Sequence, residues 1–209
     1  MLRGFLLALV VASLPATRSQ QPPPSGLTLE LRIYLGATEV TSDTRVTIHK
    51  AGDRGEPFAR LSGARGGLEL PVPQGIYDVQ AILERDGQVL NIRWANRLVV
   101  MPYPDEGGRH LEVVNFSSGF GALQVRAGGA ATLDVSLYPS GRRDKVVVEP
   151  RRGNGYALFV VPAGVYDVRV GKDAGARWHT GIEVPLDRTR LWLYAEPERF
   201  PSSRLAPSS

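Results

Sequence analysis

The sequence predicts an all-β protein built from two tandem β-sandwich modules that follow a signal peptide. Three observations carry this. The 209 residues include 23 Gly and 16 Pro, which favours turns and short strands over long helices. Apolar residues alternate with polar ones in many short segments, the period of a half-buried strand. One block of sequence also recurs at a fixed offset, the mark of a repeated unit.

Met1–Gln20 opens the chain with Arg3, an apolar run from Phe5 to Leu14, and a small-residue end around Ala16 and Ser19. That order is the signature of a secretory signal peptide. The run is shorter than the ~20 apolar residues a spanning helix needs, and no later stretch could span a bilayer. The mature chain is therefore expected to be exported, to the periplasm or outside the cell. Residues 21–26, with three consecutive prolines, read as an extended linker. Residues 196–209, rich in Pro and Ser, read as a disordered tail.

Between linker and tail the chain repeats. Pro73, Gly75, Tyr77, Asp78 and Val79 recur as Pro162, Gly164, Tyr166, Asp167 and Val168, an offset of 89. The same offset carries Val46, Ile48 and Gly52 onto Val135, Leu137 and Gly141. Arg93-Trp94 pairs with Arg177-Trp178 at a slightly different spacing, as hairpins of unequal length allow. The modules are assigned to 27–117 and 118–195.

Each module reads as six or seven strands. Leu27, Leu29, Leu31 and Ile33 alternate with polar neighbours, as do Val46 and Ile48, then Tyr77, Val79 and Ala81. Asp86-Gly87 between two apolar pairs signals a tight hairpin. Pro73 to Gly75 and Pro162 to Gly164 are turn chemistry leading into a strand. Gly119 and Gly121 mark a hinge between modules.

The run of strand, turn, Pro-x-Gly-x-Tyr-Asp-Val, hairpin, then a strand ending Val-x-Pro resembles the carboxypeptidase regulatory-like modules of exported bacterial proteins. These have an Ig-like, transthyretin-like sandwich fold. The resemblance implies a non-catalytic accessory module. It supplies no reaction.

Composition excludes much chemistry. Without Cys there are no disulfides, thiolate nucleophiles, Cys-ligated zinc, iron–sulfur clusters or lipoprotein anchor. The formal charge of +4 falls to +2 once Arg3 and Arg18 leave with the signal. The pI of about 9.6 reflects 22 Arg against three Lys. The arginines are scattered rather than gathered in a stripe, so no nucleic acid is expected as partner. Arg142-Arg143 and Arg151-Arg152 read as solvated loop.

His49, His110 and His179 lack partners at metal-ligand spacing, and no cofactor motif is present. They read as surface histidines, with no metal. Asp78 and Asp167 stand one per module, opposite in parity to Tyr and Val, so they are placed on the wet face rather than in one acid/base site. Trp94 and Trp178 share parity with neighbouring apolar residues and are assigned to the cores. Leu191 and Leu193, matched to Leu111 and Val113, are placed facing the core. Trp192 and Tyr194 then face outward, as do Tyr138, Leu158 and Val160. This apolar outer face, with Trp192, Tyr194 and Tyr138 at its centre, is the candidate binding surface, unless the face packs against the first module. The functional expectation is a non-catalytic structural or protein-interaction element of the cell envelope, with a protein partner. A carbohydrate or polysaccharide binder using the same aromatic face is the alternative, and an enzyme of undetected type a second one.

Overall fold

The computed structural model describes residues 27–63, 67–102, 108–127, 133–153, 155–172 and 175–194. The signal, the linker and the tail lie outside them. The described chain is all-β apart from one 3₁₀ turn at Thr41–Asp43.

The N-terminal half contributes β1 (Thr28–Leu35), β2 (Thr38–Glu39), β3 (Thr44–Lys50), β4 (Ala59–Ser62), β5 (Leu68–Pro71), β6 (Gly75–Arg85), β7 (Gln88–Val100) and β8 (Arg109–Asn115). The C-terminal half contributes β9 (Phe120–Ala127), β10 (Val135–Pro139), β11 (Arg151–Gly153), β12 (Tyr156–Pro162), β13 (Gly164–Val170), β14 (Arg177–Val184) and β15 (Thr189–Tyr194).

These strands form four sheets. In the first half, β1 pairs with β2 and β5 and, in parallel, with β8, while β4-β3-β6-β7 make a second sheet. In the second half, β11-β12-β9-β15 form one sheet, with β15 parallel to β9, and β10-β13-β14 the other.

The alternating residues explain the packing. Leu29, Leu31 and Ile33 of β1 are fully buried against Val46, Ile48, Val79 and Ala81 of the facing sheet. Leu123 and Val125 of β9 and Phe159 of β12 pack in the same way against Leu137 and Val168. Each such side chain contributes about 1.5–3 kcal/mol on burial. A third apolar layer joins the halves: Tyr34, Leu111 and Val113 meet Ala122, Tyr156, Leu158 and Val160. The order through the molecule is sheet, core, sheet, joining layer, sheet, core, sheet.

The two halves share strand register. Ile48 pairs with Val79 and His49 with Asp78; Leu137 pairs with Val168 and Tyr138 with Asp167, all displaced by the same 89 positions. Both hairpins that follow carry a bulge, between Tyr77 and Val79 in one and between Tyr166 and Val168 in the other.

Two expectations are corrected here. Gly121 is no hinge, because a Cβ there would collide with the carbonyl of Pro185; glycine allows the β14–β15 connection to lie directly on β9. Leu111 and Val113 do not face the core of their own half. Val114 does, while Leu111 and Val113 point into the joining layer. Strand β8 is buried on both faces, so alternation in its sequence could not reveal which face was which.

Candidate functional site

The repeated Pro-x-Gly-x-Tyr-Asp-Val motif builds the most elaborate polar arrangement on each half. The Tyr77 hydroxyl donates to the Pro73 carbonyl at 2.7 Å, and Tyr166 donates to Pro162 at 2.6 Å. Burial raises the pKa of both hydroxyls. Asp78 accepts from the N–H of Arg97 at 2.8 Å and of Gly52 at 3.5 Å. Asp167 accepts from Gly181 at 3.2 Å and Gly141 at 3.1 Å. Each carboxylate thus ties the turn after one strand to the bulge of another. The donor residues have left-handed φ angles of +56° at Arg97, +83° at Gly52, +74° at Gly181 and +74° at Gly141.

The Asp78 and Asp167 side chains lie on the outer sheet faces, as their parity predicts. They are buried nonetheless, at 4% and 2% exposure, because the turns and bulges they bind fold over them. The N–H of Arg97 chiefly, with help from Gly52 and the Arg54 charge, holds the Asp78 carboxyl below the usual carboxylate range. Satisfied by backbone and lying in separate halves, these aspartates form fasteners rather than an acid/base pair.

Above them sits a second repeated feature. The Arg54 guanidinium lies 4.2 Å from the Trp94 ring centroid, and Arg143 lies 4.4 Å from that of Trp178. His49 flanks Trp94 at 5.7 Å, and Tyr138 flanks Trp178 at 4.8 Å. Trp94 and Trp178 are therefore half-buried on outer faces instead of filling the cores. A guanidinium stacked on an indole is a cation–π pair worth roughly 0.5–1 kcal/mol at exposed sites.

The expected binding residues turn out to be packed. Tyr138 is on the outer face, as its parity predicts, but Trp178 and its neighbours leave it only 7% exposed. Tyr194 and Trp192 point inward: Tyr194 belongs to the second core at 7% exposure, and Trp192 packs against that core. Both also touch His179, at 5.5 and 5.0 Å. Leu193 is the outward residue, 46% exposed. The cause is the two-sided burial of β8. Matching Leu191 and Leu193 to Leu111 and Val113 is geometrically sound, but those two face the joining layer. Leu158 and Val160 face outward from their own half and are covered by the other half. No tryptophan is left as a bare ring platform, so the polysaccharide reading loses the surface it rested on.

The histidines also differ from expectation. His49 and His110 are buried at 6% and 1%. His110 lies between Glu112 Oε1 at 3.1 Å and the Met101 carbonyl at 3.3 Å. Among the described residues, no group of three or more His, Asp or Glu could hold a metal ion.

A cleft of about 390 Å³ opens where the halves meet, lined by Arg93, Asn96, Phe120, Leu186, Asp187 and Arg188, among others. Arg93 bridges it to Asp187 at 2.8 Å, and Arg188 reaches the Asn96 carbonyl at 3.4 Å. These contacts fasten one half to the other. Glu30, only 2% exposed, does the same deeper in: it accepts from Tyr156 Oη at 2.8 Å and from Arg32 Nε at 2.9 Å.

Among the described residues, the tip of the β6–β7 hairpin is one of the places where large apolar side chains stay exposed. Asp86 and Gly87 form its tight turn, with φ of +52° and +76°. Strands β6 and β7 have 11 and 13 residues against 7 and 8 for β13 and β14. The extra length projects beyond the shared unit and carries Val89, Leu90 and Ile92, each more than half exposed. Composition around Asp86-Gly87 signals the hairpin; only the comparison of strand lengths reveals that it overhangs.

No known protein family matches the chain, and no curated protein is similar to it. Among solved structures, the TIE protein of Bacillus anthracis aligns at 17% identity with a TM-score of 0.33, covering 81% of this chain and 33% of that one. The chain thus spans about a third of that protein's length. The tip fimbrial protein Mfa3 of Porphyromonas gingivalis, solved with a C-terminal truncation, aligns at 11% identity with a TM-score of 0.31, covering 83% of this chain and 96% of that one. Among the described residues no helix is long and apolar enough to cross a membrane.

Proposed function

We propose that this chain is an exported, non-catalytic structural or protein-interaction element of the bacterial envelope, made of two tandem carboxypeptidase regulatory-like modules. The observation that carries the reading is the overhanging β6–β7 hairpin. Apolar side chains held out in water on a well-formed strand contribute nothing to the chain's own core, whereas contact with another molecule would bury them. The buried polar groups support the same reading. Asp78, Asp167, Glu30 and the motif tyrosines are all engaged in holding strands, turns and halves together, which suits a stiff spacer better than a reaction centre.

The test is a photo-activatable residue placed at Ile92 in the intact exported protein, with the same residue at exposed Leu186 as control. Discrete adducts specific to position 92, formed on intact cells, support the interaction reading. Equal adducts at both positions, or none at either, would overturn it.

A further inference from the structure

We propose that the outer face of the second half carries a carboxylate-binding site, built on Arg143 and Trp178, whose ligand is an acidic side chain, Asp or Glu, of a protein partner. The site lies on the β10-β13-β14 sheet. It goes beyond the reading above and does not depend on the β6–β7 hairpin. What points to it is a difference between two equivalent places. Arg54 and Arg143 stand 89 positions apart. Each lays its guanidinium on a tryptophan, 4.2 Å from the Trp94 centroid and 4.4 Å from that of Trp178. In the first half the stacked guanidinium has its own oxygen partners. Arg54 Nη2 donates to Asn96 Oδ1 at 2.8 Å, and Nε lies 3.6 Å from Asp78 Oδ2. The second half lacks both contacts. Thr180 takes the place of Asn96, two residues beyond the tryptophan, and Asp167 is engaged by the N–H groups of Gly141 and Gly181. Among the described residues no oxygen lies within hydrogen-bond or ion-pair distance of the Arg143 guanidinium.

The stack matters because it holds the cation in place. A guanidinium lying on a ring loses rotational freedom, and its planar fork of N–H groups matches the two oxygens of a carboxylate. The first half shows such a guanidinium satisfied from within; the second leaves the same group open. The surrounding charge differs in the same sense. The loop Gly52–Glu56 has Asp53 and Glu56 against Arg54, whereas Gly141–Lys145 has Arg142, Arg143 and Lys145 against Asp144. Gln80, opposite Trp94 in the first ladder, is replaced by Arg169, opposite Trp178 in the second. Asp144 lies 3.6 Å from Arg142, and exposed Glu183 stands at the far end of β14 from Trp178. This setting favours an anion. The ring decides what carries it. Trp178 is engaged by Arg143 and, at 4.8 Å, by Tyr138, which leaves a sugar no bare ring to stack on. An acidic side chain needs only the N–H groups of the guanidinium.

Fluorescence anisotropy of a dye-labelled tetraglutamate peptide, titrated with the purified mature chain at low salt, tests this. Binding should be saturable, and the tetraglutamine peptide should not bind. Arg143→Gln should weaken binding about tenfold, the scale of one charge-assisted contact. Arg142→Gln removes the same charge one position away and should weaken it only about twofold. Thr180→Asn keeps every charge and supplies the oxygen that Asn96 supplies in the first half. It should also weaken binding, because Arg143 then has an internal partner. Arg54→Gln should behave like the native chain. The unfolding midpoint of each variant checks its folding, and Thr180→Asn decides the matter if Arg143→Gln does not fold. Absence of saturable binding to the native chain would overturn the proposal. So would equal losses in Arg142→Gln and Arg143→Gln, which mean attraction by a basic loop alone, or an unchanged affinity in Thr180→Asn. Tetragalacturonate that binds more tightly than the peptide, with the same dependence on Arg143, overturns the protein partner in favour of an acidic polysaccharide. None of these outcomes bears on cross-linking at position 92, so the interaction reading stands or falls separately.

Discussion

The Asp78 carboxylate accepts the backbone N–H of Arg97 at 2.8 Å, within the bulge of β7 between Ala95 and Leu98. The equivalent donor in the other half is a glycine, Gly181, with nearly the same backbone conformation. The comparison separates the two ingredients of the fastener. Left-handed φ is strained for Arg and free for Gly. Arg97→Gly should therefore raise stability by up to ~1 kcal/mol, whereas Asp78→Ala should cost about 1.5–3 kcal/mol, the range for a hydrogen bond to a charged group. Urea unfolding midpoints of the two variants check both signs. Destabilisation by Arg97→Gly would show that the arginine side chain itself is needed.

The same carboxylate predicts an acid response. Its folded pKa is depressed below its unfolded value of 3.8. Below that value the unfolded chain binds more protons than the folded one, so stability falls as pH drops through the folded pKa. Above about pH 4 the contribution is complete. Unfolding midpoints measured from pH 6 down to pH 2.5 should decline for the native chain below pH 4. In Asp78→Asn the decline should be shallower by the share this group supplies. Identical acid limbs would refute the assignment.

Trp192 and Tyr194 are now expected to act through stability alone. Tyr194→Ser removes a core aromatic and should cost about 3–5 kcal/mol, the range for large-to-small aromatic truncations. Leu193→Ser, at a 46% exposed position, should stay within about 0.5 kcal/mol. Had the outward assignment of Tyr194 been right, the two costs would be reversed, and thermal unfolding of the pair distinguishes the cases.

The joining layer predicts coupling between the halves. Leu158 is 1% exposed and belongs to that layer rather than to the second core. Leu158→Ala should cost about 2–5 kcal/mol. Leu158→Asp should separate one cooperative calorimetric transition into two, as each half loses the support of the other. A single unsplit transition in Leu158→Asp would mean that the halves are not coupled through this layer.

A smaller cost attaches to the motif tyrosines. Tyr77→Phe and Tyr166→Phe each delete one hydroxyl bond to a proline carbonyl and should cost about 1 kcal/mol. The cost should be similar in the two halves because the bonds are 2.7 and 2.6 Å. Unequal effects in chemical denaturation would show that the tyrosines serve different purposes.

What the sequence determined by itself was local. Alternation located the strands, Asp86-Gly87 located a hairpin, and the offset of 89 put Ile48 and Leu137, Val79 and Val168, and Asp78 and Asp167 in equivalent places. These follow from turn chemistry and from the two-residue period of a strand, which neighbouring residues encode directly. What only the tertiary structure decided was which of two buried faces met which neighbour. Strand β8 carries apolar residues on both sides, so Leu111, Val113 and Val114 gave no sign of where the core ended and the joining layer began. The error passed from there to Trp192 and Tyr194. Likewise parity placed Asp78 and Tyr138 on outer faces correctly, yet could not show that turns, bulges and tryptophans from distant parts of the chain close over them. Burial on an outer face depends on what folds across it, and that is fixed by contacts between residues far apart in sequence.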